Sequence, residues 1–302
     1  MIIALDVMGG DNAPKSNILG AKKFLNSNPN VKVILVGHES IIKDQLKIHD
    51  FDDLSRIEIY HSPEIITMDE PKPSMVFKTR PNSSIVQAVK LVKDGLADAI
   101  ISAGNTAALL SSSLFILGKI EGIKRPTLAT YFPSRKGGFV LSDVGANMDV
   151  KPIHILQFAA MASIYAKNIK KIDSVKVGLL NIGSEKNIDV VVCDGFAGNV
   201  ILKLTEGLVS HLNKWMNSKK EIKNNPEVMN IVNSIFNNYN YEAHGASPFL
   251  GVKGIVLKCH GACSDKSIES ALNLAHTFSS KDLLSKIEND LEKDLSLTTN
   301  LD

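Results

Sequence analysis

The sequence carries almost no net charge: 34 basic and 32 acidic side chains in 302 residues leave a formal +2. A polybasic nucleic-acid binder is therefore not expected, because such proteins hold a large basic surplus. Cysteine is scarce as well. Cys193, Cys259 and Cys263 cannot all pair within one chain, so no disulfide framework is expected and a reducing compartment is the simplest setting. The amino terminus, MIIALDVMGGDNAP, lacks the basic start of a signal peptide and reaches a charge already at Asp6. Uninterrupted hydrophobic spans are missing too. Ala99–Gly118 is uncharged and nominally long enough to cross a bilayer. Gly104-Asn105-Thr106 and Ser111-Ser112-Ser113 break it, so it reads as a buried strand, a tight turn and a buried helix. The expectation is a soluble cytoplasmic protein, at most peripheral to the inner face of the membrane.

Familiar catalytic signatures are also lacking. No Walker A loop, GxGxxG, HExxH or GxSxG occurs. Cys259-His260-Gly261-Ala262-Cys263 offers one C-x3-C spacing and no second ligand pair, so no metal is expected there.

What is present is an ordinary globular composition, 44% hydrophobic and 22% charged. Short Val- and Ile-rich runs recur at Ile2–Val7, Val31–Gly37, Ile57–His61, Ala99–Ala103, Thr127–Phe132, Phe139–Asp143, Val175–Ile182, Val190–Cys193 and Gly254–Cys259. A sheet covered on both faces demands such runs. Amphipathic patterns lie between most of them, as at Lys15–Asn26, Ser84–Asp94, Ile153–Lys167 and Lys266–Phe278. The alternation predicts an α/β fold, a largely parallel sheet sandwiched by helices. Leu208–Tyr241 departs from it and predicts an inserted helical hairpin around Asn224-Asn225-Pro226, packed on the core or offered to a partner.

Ligands of open α/β sheets bind at the carboxyl ends of the strands. Four such ends carry Gly with Asp or Asn. They are Asp6 to Asn12 with Gly9, Gly10 and Asp11; Gly104-Asn105-Thr106; Asp143 to Asp149 with Asn147; and Asp194 to Asn199 with Gly195. Backbone donors and helix starts on one rim suit a phosphate-bearing ligand or a developing oxyanion. Ser83 and Ser84 precede a helix, as caps or as anion contacts. Lys72, Lys78 and Arg80 lie in the loop before it and could add positive charge. His260 ends an apolar strand as a structural residue or a proton carrier.

These motifs in this order resemble one family, the bacterial phosphate acyltransferases of phospholipid synthesis, the PlsX proteins. The matching segments are LDVMGGDNAP, NSSI, ISAGNTAALL, RPTLAT, LSDVGANMDVKP, VGLLNIGSE, VVVCDGFAGNVILKLTEG and HGASPFLGVKGIVLKCHG. The resemblance implies transfer of a long-chain fatty acyl group from acyl carrier protein to inorganic phosphate. The acyl phosphate then feeds a membrane glycerol-3-phosphate acyltransferase. It implies an isocitrate/isopropylmalate-dehydrogenase-like fold shared with phosphotransacetylases, a single catalytic domain over 1–302, no cofactor, and a homodimer with the hairpin 208–241 near the dimer interface and the membrane.

For that reaction Asp6, Asn105, Asp143, Asp194 and His260 are the candidate catalytic residues. Gly9, Gly10, Asp11, Lys72, Ser83, Ser84, Gly104, Thr106, Asn147, Gly195 and Asn199 are the candidate phosphate- and substrate-binding ones. Gly9, Gly10, Gly104, Asn105 and Thr106 would act through their amides, the aspartates as orienting groups or as a base, and His260 as proton donor to the departing thiolate. An acidic carrier also calls for a local basic patch. A short-chain phosphotransacetylase using acyl-CoA is the alternative enzyme, and a non-catalytic scaffold for the membrane acyltransferase the alternative of another kind. One segment departs from the family. Gly183-Ser184-Glu185 runs almost directly into Asp189-Val190, where the family has a further helix and strand. A parallel crossover needs a dozen or more residues, so either an element is deleted between Glu185 and Asp189 or residues are left out of the numbering there; a true deletion would cost packing on one sheet face, with a pseudoenzyme as the extreme outcome.

Overall fold

The computed structural model describes residues 1–51, 53–133, 138–170, 172, 174–181, 187–219, 224–230, 232 and 245–296. The chain, read above as one catalytic domain, gathers into two compact units, Met1–Pro126 with His244–Asp302, and Thr127–Ala243. Element labels run in chain order through both.

In the first unit the strands are β1 (Ile2–Asp6), β2 (Lys32–Gly37), β3 (Ile57–His61), β4 (Ala99–Ser102), β9 (Ser247–Leu250) and β10 (Ile255–Lys258). Their order is β3-β2-β1-β4-β10-β9. Every pairing is parallel except that of β9 with β10. Consecutive residues such as Ile100 and Ile101 are both fully buried, so both faces of the sheet are covered. The helices are α1 (Lys15–Ser27), α2 (Glu39–Ile48), α3 (Val76–Thr79), α4 (Ser84–Lys93), α5 (Thr106–Ile116), α8 (Asp265–Ser280) and α9 (Leu283–Ser296). Helices α1 and α8 approach closely because Gly20 has no side chain; a Cβ there would lie 2.5 Å from Ile268. Fully buried Phe24 anchors the contact, and its truncation to Ala would cost about 3–5 kcal/mol. The Lys23–Asp265 ion pair beside it, 2.8 Å long and partly exposed, adds less than about 1 kcal/mol. Ser264 and Ser267 cap the start of α8 reciprocally.

In the second unit the strands are β5 (Thr127–Phe132), β6 (Phe139–Ser142), β7 (Val177–Leu179) and β8 (Val190–Val192), with α6 (Pro152–Lys170) and α7 (Gly195–Ser218). The order is β5-β6-β8-β7, antiparallel at β5–β6 and parallel beyond. Helix α6 buries Phe158, Met161, Ala162, Tyr165 and Ala166, a single stripe at helical spacing.

All nine apolar runs form strands, and Ala99–Gly118 resolves into β4, a turn and α5. Among the described residues no helix is long and apolar enough to cross a membrane. The short junction behaves differently from expectation. Strands β7 and β8 do pair in parallel although only residues 180–189 separate them, of which 182–186 lie outside the described residues. Each strand has three residues, so the chain returns only about 10 Å, well within the reach of ten residues at about 3.3 Å each. Val177 and Leu179 stand exposed on one side of β7. The first helix of the expected hairpin is the end of the longer α7, and residues 226–230 are helical. Residues 220–223, 231 and 233–241 of that hairpin lie outside the described residues.

Candidate functional site

In the first unit three neighbouring strands end in polar residues, Asp6 on β1, Ser102 on β4 and Lys258 on β10, in one register row. Asp6 is buried and accepts from the Ser102 hydroxyl at 2.7 Å and the Met8 N–H at 3.2 Å, with Ser84 and the Gly9 N–H as further donors. Burial raises its carboxyl above the usual carboxylate range, and these donors partly offset the rise. Gly9 has no room for a side chain: a Cβ would lie 2.6 Å from both Asp6 Oδ2 and the Gly104 nitrogen. Asn17 of α1 pins the loop from below, donating to the carbonyls of Asp6, Val7 and Gly9 at 3.4, 3.0 and 3.0 Å.

This geometry corrects one expectation. The Gly9 N–H is given to Asp6, and the Gly104 N–H to Ser102 Oγ at 3.0 Å, so both amides hold the rim together rather than face a ligand. Further donors belong to the start of α5. Asn105 caps it, its Oδ1 accepting from the Ala108 N–H at 3.1 Å while its Nδ2 donates to the Met68 carbonyl at 3.1 Å. Thr106 opens the helix, and the first amides there have no intrahelical acceptor and lie at the positive end of the dipole.

The β1 and β10 loops are tied together. Asp11 donates its N–H to the Gly261 carbonyl at 2.7 Å, and Asn12 its amide to those of Ala262 and Cys263. Gly10 sits at φ +103°, a conformation that suits glycine, with Ala103 and Gly261 close by. The Nδ1 of His260 accepts from the Ala262 N–H at 3.2 Å. The neutral ring then carries its proton on Nε2 and can donate a hydrogen bond there. Delivering a proton outright, as expected from sequence, would require a proton on Nδ1 and the loss of that bond.

Asp6, Gly9, Gly10, Asp11, Ser84, Gly104, Asn105, Thr106 and His260 thus come together in this unit. Ser83 does not join them. It precedes α4 without capping it through its side chain, and its buried hydroxyl donates to the Arg80 carbonyl at 2.8 Å. Lys72 is exposed, its backbone N–H donated to Glu70. Cys259 is buried, and that burial pushes its thiol up.

The second unit holds its own cluster. Both oxygens of buried Asp143 are occupied: Oδ1 by the N–H groups of Leu128 (2.9 Å) and Ala146 (3.2 Å), Oδ2 by the backbone N–H (2.7 Å) and side-chain amide (2.9 Å) of Asn147. Burial raises its carboxyl while these donors lower it. Of the two roles expected for it, orienting the loop fits this geometry. Asp194 caps α7, accepting from the Ala197 N–H at 2.9 Å. The Gly195 N–H donates to the Asn147 carbonyl at 2.7 Å, and Asn199 lies against Gly145. Asp143, Asn147, Asp194, Gly195 and Asn199 therefore form one local network. Cys193 donates to the Asp143 carbonyl, and its thiol is pushed up to about 12 by burial and by the Asp194 and Asp143 charges.

Sequence reasoning passed over Asn17, Ser102 and Lys258. Asn17 reads as an ordinary helix residue, Ser102 as part of an apolar run, and Lys258 as a lysine leaving a strand for solvent.

The family model described as fatty acid synthesis protein matches residues 1–188 and 185–286. The two matches meet within the short junction. A phosphate acyltransferase of Desulforamulus reducens is 39% identical over 97% of this chain and 98% of its own length. That of Clostridium acetobutylicum is 34% identical over 97% and 99%. The alignment with the first extends over 329 residues, more than this chain has, so that relative holds residues without a counterpart here. In fold the chain is similar to phosphotransacetylases from Streptococcus pyogenes (TM-score 0.61, 15% identity, 92% of this chain and 94% of that one) and Staphylococcus aureus (0.55, 14%, 92% and 94%).

Proposed function

Since the chain belongs to the fatty acid synthesis protein family, with phosphate acyltransferases among its relatives, we propose that it moves a long-chain fatty acyl group from acyl carrier protein to inorganic phosphate. The observation that carries this reading is near-full-length relation to enzymes of that name, across both units. The acyltransferase activity itself follows from the family; the carrier, the chain length and the pathway are the proposal.

The chemistry needs little from the protein beyond positioning. A phosphate oxygen attacks the thioester carbonyl carbon, the C–O bond forms, and the C–S bond breaks as the tetrahedral oxyanion collapses. The proton of hydrogen phosphate passes to the departing thiolate, leaving acyl phosphate and free carrier thiol. The first amides of α5 would hold negative charge, and His260 Nε2–H would donate to the oxyanion or the thiolate. Asp6 and Asn17 would keep the glycine loop in place. No cofactor enters these steps.

The product, a mixed anhydride, suits a glycerol-3-phosphate acyltransferase of the membrane as the next enzyme in phospholipid synthesis. Peripheral attachment at the membrane and a homodimer belong to the same proposal. Phe196, Val200, Leu204, Leu208, Leu212 and Trp215 support it, an exposed apolar stripe along α7.

The discriminating experiment compares palmitoyl-acyl carrier protein with acetyl-CoA and palmitoyl-CoA as donors at saturating phosphate. The carrier thioester is expected to give at least tenfold higher kcat/KM than either CoA ester. A preference for acetyl-CoA would replace this reading with that of a short-chain phosphotransacetylase.

A further inference from the structure

The loop after β3 is bonded to the outside of α5, the helix whose start carries the candidate anion donors. The Met68 carbonyl accepts from Asn105 Nδ2 at 3.1 Å, and further along the helix the Pro73 carbonyl accepts from Ser111 Oγ at 3.2 Å. The chain then makes a 3-10 turn, Pro73–Met75, and enters α3. There Phe77 stacks on Phe115 of α5, ring centroids 4.2 Å apart and planes 10° from parallel. This apolar group is not buried: Met68, Met75 and Phe115 are 50%, 40% and 67% exposed. Helix α5 has no charged residue, so nothing on it keeps that face wet. Exposed aromatic and methionine side chains grouped in this way mark surfaces that partners cover.

The surroundings are of one sign. Residues 71–93 contain Lys72, Lys78, Arg80, Lys90 and Lys93 and no acidic side chain, in a chain whose net charge is only +2. Lys72, Lys78, Arg80 and Lys93 are exposed. Lys78 Nζ lies 5.5 Å from the centroid of the Phe77 ring, so the cationic and aromatic groups share one surface. Lys90 donates to the Pro81 carbonyl at 3.1 Å, which holds α4 beside the Arg80 turn. Among the described residues none of these five cations is in an ion pair. The nearby acids precede the run: Glu64 accepts from the Asn82 N–H, Glu70 from the Lys72 N–H, and Asp69 is bonded to Thr67.

We propose that this surface, Phe77 and Phe115 with Lys72, Lys78 and Arg80, docks the acidic acyl carrier protein and presents its thioester to the start of α5. The inference rests on the acyl donor proposed above and adds where that donor binds. Opposite charge steers an acidic partner to the patch, and the stacked rings supply the contact that persists once it has docked. Phe115 lies about 14 Å along α5 from Thr106. A thioester on a long flexible arm covers that span without the carrier entering the site.

The test measures binding of fluorescently labelled holo-acyl carrier protein to the full-length chain by anisotropy. Kinetics with palmitoyl-acyl carrier protein and with palmitoyl-pantetheine, a donor that lacks the carrier, accompany it. Lys78→Glu together with Arg80→Glu should weaken carrier binding, and raise the KM for the carrier thioester, at least tenfold. The KM for phosphate and the kcat/KM for palmitoyl-pantetheine should stay within twofold, which a disturbed active site would not allow. Phe115→Ser should weaken carrier binding at least fivefold with sedimentation unchanged. Carrier binding that is unchanged in both variants overturns the docking assignment, whether or not acyl phosphate forms. If the charge variant loses a carrier that the wild type binds, yet the wild type forms no acyl phosphate, the docking surface stands and the reaction fails. A wild type that neither binds the carrier nor uses its thioester overturns both. Phe115→Ser turning a dimer into a monomer would make the patch a contact between copies and overturn the assignment. Should a variant not fold, hydrogen exchange on the wild type decides: holo-carrier should slow exchange of residues 72–80 and 115–119, and unchanged exchange in both segments would overturn the proposal.

Discussion

Asp6 sets a pH dependence that can be measured. Burial first, offset by the Ser102, Ser84, Met8 and Gly9 donors, leaves its folded carboxyl above the unfolded value of 3.8. The folded state then binds the proton more tightly than the unfolded one. Stability contributed at this position is fullest below the unfolded value and declines as pH rises toward the folded one, then stays level. Asp6→Asn removes the titration. Urea unfolding between about pH 4 and pH 7 should show the wild type losing ground to the variant as pH rises; a wild-type advantage growing with pH would contradict the assignment. The cysteines give a second test at this scale. All three are buried, and burial pushes the Cys193 and Cys259 thiols up. Because the thiolate is the reactive form, a maleimide at about pH 7.5 should label none of them in the folded protein and all of them in urea. Rapid native labelling of Cys193 would show its pocket to be open.

Helix α7 separates two kinds of glycine. A Cβ at Gly198 would overlap the Asp143 carbonyl oxygen, whereas at Gly207 nothing lies within 4 Å. Gly198→Ala should therefore force the helix start away from the Asp143 loop and cost about 1–3 kcal/mol. Gly207→Ala should gain about 0.5–1 kcal/mol from helix propensity alone. Denaturant unfolding of both variants checks the pair, and equal effects would mean that the helix start is not packed as described. The same contrast shows what was legible in the sequence. Val- and Ile-rich strands announce themselves as apolar runs, so nine of them could be read directly, β3 and β7 included although neither is buried on both faces. Strand β9 could not, being four residues that include Pro248, and α2 buries only Ile42 and Leu46. The rim residues were legible because Gly, Asp and Asn cluster after strands. Which amides point inward was not, since Gly9 and Gly104 reveal their acceptors only once Asp6 and Ser102 are placed. Lys258 was hidden for a similar reason: burial at a strand end depends on loops far away in sequence.

For the molecule as a whole, the exposed stripe of α7 predicts self-association. Leu204→Glu together with Leu208→Glu should turn a dimer into a monomer in sedimentation velocity while leaving the helical content unchanged; a double variant that stays dimeric would place the interface elsewhere. The short β7–β8 junction bears on activity at the same scale. Both strands are in place and paired, both Asp143 carboxyl oxygens accept hydrogen bonds and Asp194 caps α7, so these elements form with the short junction. The most direct test of the account follows the purified chain with palmitoyl-acyl carrier protein by 31P NMR, with and without inorganic phosphate. The account predicts a new acyl phosphate resonance that appears with the chain, grows with phosphate and accompanies release of carrier thiol. A folded chain that consumes no thioester and yields no such resonance would contradict it and leave the fold with a non-catalytic role.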